Sequence, residues 1–324
     1  MPLIDEPLLT FEYAQGSFYP APGSGYIHGA TGEERAGLPT PWLDELRRQG
    51  TRIFSVVDES RDAFDVEDSG RRTHVSLRSA QEVQRFVASL PGAVYLDITA
   101  LTHPTWARIL AALVVDRDEH YVVYSEPLRY VRHANPAHGI IYDLSERIEG
   151  IAPLPGFARF AGPVSDEGNV VALLGFEGAR LGYLIERLQV SLTNVVPVVG
   201  VPGFILGHPF ESLAGNRDVL TSDYVHGRTR YAKANCPFDA FHQIHSAFED
   251  GAWEYGRVAP IGTKPHGVGA VLYALSHPKE VELVYDHPVR SAKRSQGKGR
   301  VCVYSTGAFC RSDLFLASNP GADS

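Results

Sequence analysis

The segment VYLDITALTHPTWARILAALVVDRDEHYVVYSEPLRYVR, residues 94–132, decides the fold. It reads as a short apolar strand, a small and polar turn ending in histidine, an amphipathic helix and a second apolar strand. Residues 257–294, RVAPIGTKPHGVGAVLYALSHPKEVELVYDHPVRSAKR, follow the same order. A strand–helix–strand unit of this kind predicts parallel strands joined by a right-handed crossover.

The two segments also share residues that a strand–helix–strand pattern does not require. His103 aligns with His266 in the turn, and both second strands end in Tyr-x-x-Pro-x-Arg, from Tyr124 and from Tyr285. The alternative is that any two such units look alike, because a core demands the same apolar pattern. We favour an internal duplication, since packing does not demand the histidine or the Tyr-x-x-Pro-x-Arg motif.

The predicted fold is therefore α/β, with two tandem Rossmann-like units that have mostly parallel sheets and are related by a pseudo-two-fold. We expect an N-terminal half over residues 1–150, a linker over 151–168 and a C-terminal half over 169–324, with the working site in the cleft between the halves. Residues 202–226 are rich in Gly, Asn, Asp and Ser and predict a long loop of the kind that often forms a lid.

Composition narrows the class of protein. The chain has 324 residues, 44% hydrophobic and 21% charged, with a formal net charge of −8, which is ordinary for a globular protein with a core. An acidic chain argues against an extended nucleic-acid surface. Three scattered cysteines fit a reducing cytoplasm. The longest apolar stretch, residues 195–206, is interrupted by Pro and Gly, so no membrane span of ~20 residues is expected.

Candidate ligand-binding residues lie in four predicted loops at the carboxyl ends of strands, where open parallel sheets bind ligands. These loops combine Gly, Thr, Lys, His, Glu and Arg, which are residue types suited to phosphate or ribose. The predicted ligand-binding residues are Gly29, Thr31, Thr99, Thr102, Gly175, Glu177, Arg180, Gly262, Thr263, Lys264 and His266.

The sharpest of these loops is Pro260–Gly269, in which Gly262, Thr263 and Lys264 precede a helix. A glycine, a hydroxyl, an ammonium group and a helix N-terminus together favour an anion site. The alternative is a capped turn with a solvated lysine. For Thr99 and Thr102 the alternative is helix capping.

Glu177 and Arg180 have an alternative interpretation as an ion pair that fixes the mouth of a helix. The basic run 293–300 reads as a solvated hairpin loop, with phosphate or nucleic-acid contact as its alternative.

No complete catalytic set stands out, so whether this is an enzyme stays open at this point. Four residues are candidate acid or base groups, namely His103, His266, Glu126 and Asp286. His242 and His245 have no evident third ligand, so no metal site is predicted, and no cofactor can be named.

In the Gly262-Thr263-Lys264 turn, and in the Asp97-Ile98-Thr99 turn, the chain resembles CRISPR-associated Rossmann-fold (CARF) sensors. Its duplicated form resembles SAVED domains, in which two such units are fused. The resemblance implies a cyclic-oligonucleotide sensor of bacterial antiviral defence. It also implies that Thr99, Thr102, Gly262, Thr263 and Lys264 line the ligand, and that a partner protein encoded nearby supplies the effector.

Three functions follow as hypotheses. The first is binding of a nucleotide or another phosphate-bearing small molecule by a sensor or regulatory subunit. The second is a nucleotide-processing hydrolase or transferase. The third is a subunit whose role is protein–protein contact within a complex.

Overall fold

A computed structural model describes residues 9–30, 33–137, 140–159, 168–291 and 294–317. Contacts between backbone positions divide the chain into two compact units. Unit 1 holds the described residues up to Arg129 together with those from Ser295 onward, and unit 2 holds Tyr130–Arg294.

Eighteen strands are present in the described residues. In chain order they are β1 (Thr10–Tyr13), β2 (Gly25–Gly29), β3 (Arg52–Glu59), β4 (Ala63–Asp68), β5 (Arg71–Ser76), β6 (Val94–Asp97), β7 (His120–Tyr130), β8 (Arg132–Ala137), β9 (Ile140–Tyr142), β10 (Ser145–Ile148), β11 (Ala152–Pro153), β12 (Val170–Leu173), β13 (Val195–Gly200), β14 (Arg230–Ala232), β15 (Gly256–Ala259), β16 (Val281–Tyr285), β17 (Pro288–Arg290) and β18 (Ser295–Tyr304).

The α-helices of the same residues vary from one turn to four. They are α1 (Thr40–Arg48), α2 (Ala80–Ala88), α3 (His103–Asp116), α4 (Gly178–Leu188), α5 (His208–Gly215), α6 (Arg217–Leu220), α7 (Asp223–His226), α8 (Pro237–Gly251), α9 (Lys264–Ser276), α10 (Thr306–Cys310) and α11 (Asp313–Ala317). No helix in the described part of the chain has the length and apolar character needed to cross a membrane.

The sheet of unit 1 has eight strands in the order β1-β18-β7-β6-β2-β3-β4-β5. Its centre is parallel, because β2 pairs in parallel with both β3 and β6, and β6 with β7. The pairs β1–β18, β3–β4 and β4–β5 are antiparallel. The first parallel strand of the unit, β2, thus has β3 on one side and β6 on the other, so the strand order reverses at β2.

The main sheet of unit 2 has the order β11-β16-β15-β12-β13-β14. Its five strands from β12 to β16 are all parallel in their pairings, and β11 adds an antiparallel edge. The order 3-2-1-4-5 of these five strands matches five of the six strands in the doubly wound order 3-2-1-4-5-6. Here too the first parallel strand, β12, lies beside the point where the strand order reverses.

The α/β class is confirmed, and both sheets are parallel at their centres and antiparallel at an edge. The unit boundaries differ from the expected halves. Residues 130–150 lie in unit 2, and the last strand, β18, lies in unit 1 because it pairs with β1 and neighbours β7. Part of the expected linker forms β11, which pairs with β16. The rest of that linker, residues 160–167, lies outside the described residues.

Two more local expectations are corrected. The basic run 293–300, read as a solvated hairpin loop, enters β18 from Ser295. The long loop expected over residues 202–226 contains the short helices α5, α6 and α7. In unit 1, β4 and β5 form a hairpin. Its turn residues Ser69 and Gly70 both have positive φ, of 52° and 81°, as the tight turn between twisted strands requires.

Side-chain hydrogen bonds at the N-terminus explain where two of the helices begin. Ser79 accepts a hydrogen bond from the Glu82 amide and so caps α2. Thr263 accepts one from the His266 amide and caps α9. Thr102, which was a candidate cap, precedes α3 but makes no capping hydrogen bond.

Candidate functional site

The point at which the strand order reverses in unit 1 lies between β2 and β6. Ligands of open α/β sheets bind beyond the carboxyl ends of the strands at such a point. The last residues of these strands, Gly29 and Asp97, therefore mark where a site is expected. Tyr26 of β2, Ser125 of β7 and Lys298 of β18 line one cavity in this unit.

A cavity of about 640 Å³ lies beside that edge, between the sheet and the segment leading into α1. Three aromatic residues, Phe18, Tyr26 and Trp42, form part of its wall. Polar groups come from Glu34, Ser125 and Lys298. We call this the aromatic cavity. Its size and its mixture of apolar walls with a few polar groups are typical of small-molecule sites.

A buried Tyr–Asp pair lies at the end of the strands. The Tyr26 hydroxyl donates to Oδ2 of Asp97 at 2.8 Å, and the Thr99 amide donates to Oδ1 at 2.8 Å. Asp97 is only 3% exposed. Burial, and then the charge of Asp97, hold the pKa of Tyr26 well above its usual value. The Tyr26 phenol therefore stays neutral, and its hydroxyl is held by Asp97.

Lys298 brings a positive charge into the same cavity. Its side chain is half-buried, and burial lowers the pKa of its ammonium group while the charge of Asp97 opposes that effect. Across the described residues, no hydrogen bond and no ion pair within 4 Å involves this ammonium group. A partly desolvated cation without such a partner is costly, and an anionic group in the cavity would offset that cost.

Arg35 fixes the segment 34–39, which lines the aromatic cavity ahead of α1. We call this segment the roof. The Arg35 guanidinium donates to Oη of Tyr124 at 2.8 Å and to the Ser125 carbonyl at 2.9 Å, and it pairs with Glu33 at 2.6 Å. The side chain is 3% exposed. Because both contacts are to β7, the roof is tied to the sheet.

A second cavity, of about 780 Å³, lies on the other side of the same roof and shares Gly37 and Leu38 with the aromatic cavity. We call it the serine cavity, because Ser55 lines it together with His28. His28 Nε2 lies 2.9 Å from Ser55 Oγ, and its Nδ1 lies 3.2 Å from the Gly29 carbonyl oxygen. Burial lowers the pKa of His28, and the nearby charge of Asp97 partly opposes this.

The ligand residues expected in the first half have structural partners. Gly29 packs against the loop after β6, where an added Cβ would lie 2.9 Å from Ala100 Cβ. Thr99 Oγ1 accepts from the Ser125 amide at 2.9 Å. The Thr102 hydroxyl and amide both donate to Glu59. Thr31 lies outside the described residues.

The loops after β12 and β15 in unit 2 pack on each other. A Cβ on Gly175 would lie 3.1 Å from the Ile261 carbonyl oxygen, and one on Gly262 would overlap the Leu174 carbonyl oxygen. The Gly175 carbonyl in turn accepts hydrogen bonds from Ser212 and Asn216. The expected phosphate-binding backbone is therefore engaged with other parts of the chain, including α5.

Arg180 and Glu177 do not pair chiefly with each other. Arg180 binds both carboxylate oxygens of Asp286 at 2.7 and 2.6 Å, whereas its distance to Glu177 is 4.0 Å. Glu177 accepts from the amides of Leu144 and Ser145 and from the Ser145 hydroxyl. Both side chains thus hold chain segments in place.

Residues 263–266 are similarly embedded. The Thr263 hydroxyl donates to the Ala234 carbonyl at 2.9 Å. Lys264 is 6% exposed and begins α9. His266 is fully buried, and its Nε2 lies 3.0 Å from the Lys233 carbonyl oxygen, so this nitrogen donates.

None of the four candidate acid or base residues lines the aromatic cavity or the serine cavity. His103 is buried at the start of α3, beside the Trp106 ring. Glu126 is buried near Arg300 and Cys302, and burial raises its pKa. His266 and Asp286 have the partners given above. Their catalytic roles stay predictions.

The structure brings together residues that the sequence did not. Tyr26, Asp97, Ser125 and Lys298 come from β2, β6, β7 and β18, and so from positions more than 250 residues apart. The basic run was the one signal that pointed to Lys298.

In the described ranges, no group of three or more His, Cys, Asp or Glu side chains is placed to hold a metal ion. No protein-family model, curated protein or solved structure gives a significant match to this chain.

Proposed function

We propose that this protein binds a phosphate-bearing small molecule, a nucleotide by preference, in the aromatic cavity of unit 1. The observation that carries the proposal is Lys298, a half-buried ammonium group with no hydrogen-bonded partner in the described residues. It faces a cavity at the edge of the sheet where open α/β folds bind ligands.

The chemistry of the cavity wall favours a nucleotide over inorganic phosphate. Lys298 can pair with a phosphate group as a point charge. Phe18, Tyr26 and Trp42 are buried in the core behind the cavity wall, and the more exposed Leu38 and Pro39 provide apolar contact for a base. The exposed Glu34 carboxylate can accept hydrogen bonds from ribose hydroxyls. A cavity of about 640 Å³ has room for such a molecule.

The Lys264 loop of unit 2 supports the proposal less well. The Thr263 hydroxyl donates to the Ala234 carbonyl and caps α9, and Gly262 packs against the backbone of Leu174. Lys264 itself is buried and has interactions within the protein. We therefore assign the ligand to Lys298 and keep Lys264 as the competing residue in the test.

Isothermal titration calorimetry of the full chain tests this assignment. The titrants are AMP, ATP, cyclic di- and tri-adenylate, adenosine and inorganic phosphate. At least one nucleotide should bind, and Lys298→Ala should weaken it by about tenfold or more, since a hydrogen bond to a charged group contributes about 1.5–3 kcal/mol.

Lys279→Ala is the matched control, because Lys279 is exposed and lines neither the aromatic cavity nor the serine cavity. The Lys279→Ala variant should bind the nucleotide with the affinity of the wild type. Unchanged affinity in a folded Lys298→Ala variant would overturn the assignment. A loss confined to Lys264→Ala would move the site to unit 2.

The resemblance to CARF and SAVED sensors extends the proposal to a regulatory role. In this form the ligand is a cyclic oligonucleotide, and a partner protein carries the effector. The support is limited to the Asp97-Ile98-Thr99 and Gly262-Thr263-Lys264 turns and to parallel-centred sheets in both units. Preferential binding of the cyclic titrants over AMP and ATP would favour this form, and the reverse order would exclude it.

We also propose that the two units are diverged copies of one ancestor. In unit 1, Arg35 lies over the Tyr124 ring, 5.2 Å from its centroid, and in unit 2 Arg180 lies 5.8 Å from the centroid of Tyr285. The two tyrosines are those aligned in the repeated motif. Each arginine follows the first parallel strand of its unit.

A further inference from the structure

The pair formed by Ser55 and His28 has the arrangement of a nucleophile and its base. A backbone carbonyl can only accept a hydrogen bond, so Nδ1 of His28 must carry the proton that it shares with the Gly29 oxygen. In the neutral imidazole, Nε2 then has the lone pair. It accepts the Ser55 hydroxyl proton across 2.9 Å.

The position of the pair gives that hydroxyl access to a substrate. Ser55 lies on β3 directly opposite His28 on β2, in the parallel register of the two strands. Both side chains are partly exposed, and both line the serine cavity of about 780 Å³. Partial burial lowers the pKa of the His28 imidazole, so this side chain is neutral at neutral pH.

The wall of the serine cavity indicates the class of substrate. Leu38, Leu43 and Ile53 provide an apolar surface, and Arg47 provides a positive charge. The ion pair of Arg47 with Asp44 is exposed on both sides, and such pairs are weak. The apolar residues suit an acyl group, and the remaining charged residues of the wall are Arg52, Glu33, Glu67 and Asp68.

We propose that Ser55 is a nucleophile for acyl transfer, with His28 as its general base, acting on small carboxylic esters or thioesters. The Ser55 oxygen adds to the acyl carbon while its proton passes to Nε2 of His28. The bond from the acyl carbon to the alcohol or thiol then breaks, and the leaving group takes that proton. Water hydrolyses the acyl-serine, which releases the acid and restores the hydroxyl.

The base is oriented by a carbonyl rather than by a carboxylate. A carbonyl fixes the tautomer of His28 but stabilises the imidazolium less than a carboxylate does. For that reason the proposal is restricted to esters and thioesters, which have better leaving groups than amides. The proposal does not rest on nucleotide binding, because Ser55 and His28 line the serine cavity and not the aromatic cavity.

Labelling with a fluorophosphonate probe tests the proposal on the full chain. The Ser55 oxygen forms a bond to phosphorus, the phosphorus–fluorine bond breaks, and fluoride leaves while His28 takes the proton. Peptide mass spectrometry of the wild type should place the adduct on Ser55. His28→Gln should reduce the labelling rate about tenfold or more, in line with the contribution of a general base.

Ser246→Ala is the matched control, since Ser246 lies in α8 and its hydroxyl makes no hydrogen bond in the described residues. It should label as the wild type does, and Ser55→Ala should not label at this peptide. Thermal melting checks that each variant is folded. An unlabelled Ser55 in the folded wild type, or equal labelling rates in folded His28→Gln, would overturn the assignment.

Discussion

The guanidinium of Arg180 binds both carboxylate oxygens of Asp286 across the parallel sheet of unit 2. The two distances are 2.7 and 2.6 Å, Asp286 is fully buried, and Arg180 is 12% exposed. Burial alone would lower the pKa of Arg180, but the charge of Asp286 outweighs it and raises that pKa. The ion pair joins the start of α4 to the end of β16, and a third hydrogen bond reaches the Ile261 carbonyl.

Removing one partner of this pair should destabilise the protein strongly. Arg180→Met leaves the Asp286 carboxylate buried without its counter-charge, and such a change costs about 3–5 kcal/mol. Chemical denaturation followed by circular dichroism measures the loss. The double variant Arg180→Met/Asp286→Leu should recover part of it, because no buried charge then remains unpaired. A single variant within about 0.5 kcal/mol of the wild type would contradict this prediction.

Arg35 should couple the stability of unit 1 to ligand binding. Arg35→Lys keeps the charge but cannot reach Tyr124 and Ser125 with the same planar group. The roof over both cavities then loses its tie to β7. We expect a loss of about 1–3 kcal/mol in stability and a weaker nucleotide affinity by several-fold. Calorimetry and denaturation of the same variant check both, with the exposed Arg61→Lys as control.

The sequence was sufficient for the elements whose signals are local. Ser79 and Glu82 mark the start of α2, and the residues before Lys264 mark the start of α9, because capping is decided within one turn. The parallel centres of both sheets follow from the alternation of strands and helices. These features depend on neighbours in the chain, which a reader of the sequence can see.

The pairing of strands that lie far apart in the chain could not be predicted from the sequence. Nothing local to Ser295–Tyr304 shows that this strand pairs with β1 in unit 1, so the unit boundaries were misplaced and Lys298 was assigned to a loop. The partners of Arg180 show the same limit. The pattern identified an arginine near a glutamate three residues away, whereas the stronger partner, Asp286, lies 106 residues away.

Gly262 should tolerate no side chain. A Cβ at this position would overlap the Leu174 carbonyl oxygen, where two loops of unit 2 cross. Gly262→Ala should therefore cost about 1–3 kcal/mol by overpacking. Gly182→Ala is a control of opposite sign, since its Cβ would meet nothing within 4 Å inside α4. It should stabilise the helix by up to about 1 kcal/mol. Urea denaturation distinguishes the two, and equal effects would contradict the packing.

His120 should make the protein less stable in mild acid. It is 1% exposed, and its Nδ1 lies 2.8 Å from the Arg117 carbonyl oxygen, to which it donates. Burial lowers its pKa from 6.5 to about 4. Between these values the unfolded chain binds a proton that the folded chain does not, so stability falls as the pH drops from 6.5 and the loss levels off near 4. A shift of this size corresponds to about 3 kcal/mol.

His120→Asn should flatten this part of the pH dependence, because an asparagine amide can still donate to the Arg117 carbonyl but does not titrate. The free energy of unfolding at pH 7 and at pH 5 gives the comparison for each protein. His226→Asn is the control, since His226 is exposed and should leave the wild-type difference intact. If His120→Asn loses as much stability between pH 7 and pH 5 as the wild type does, His120 is not the group responsible.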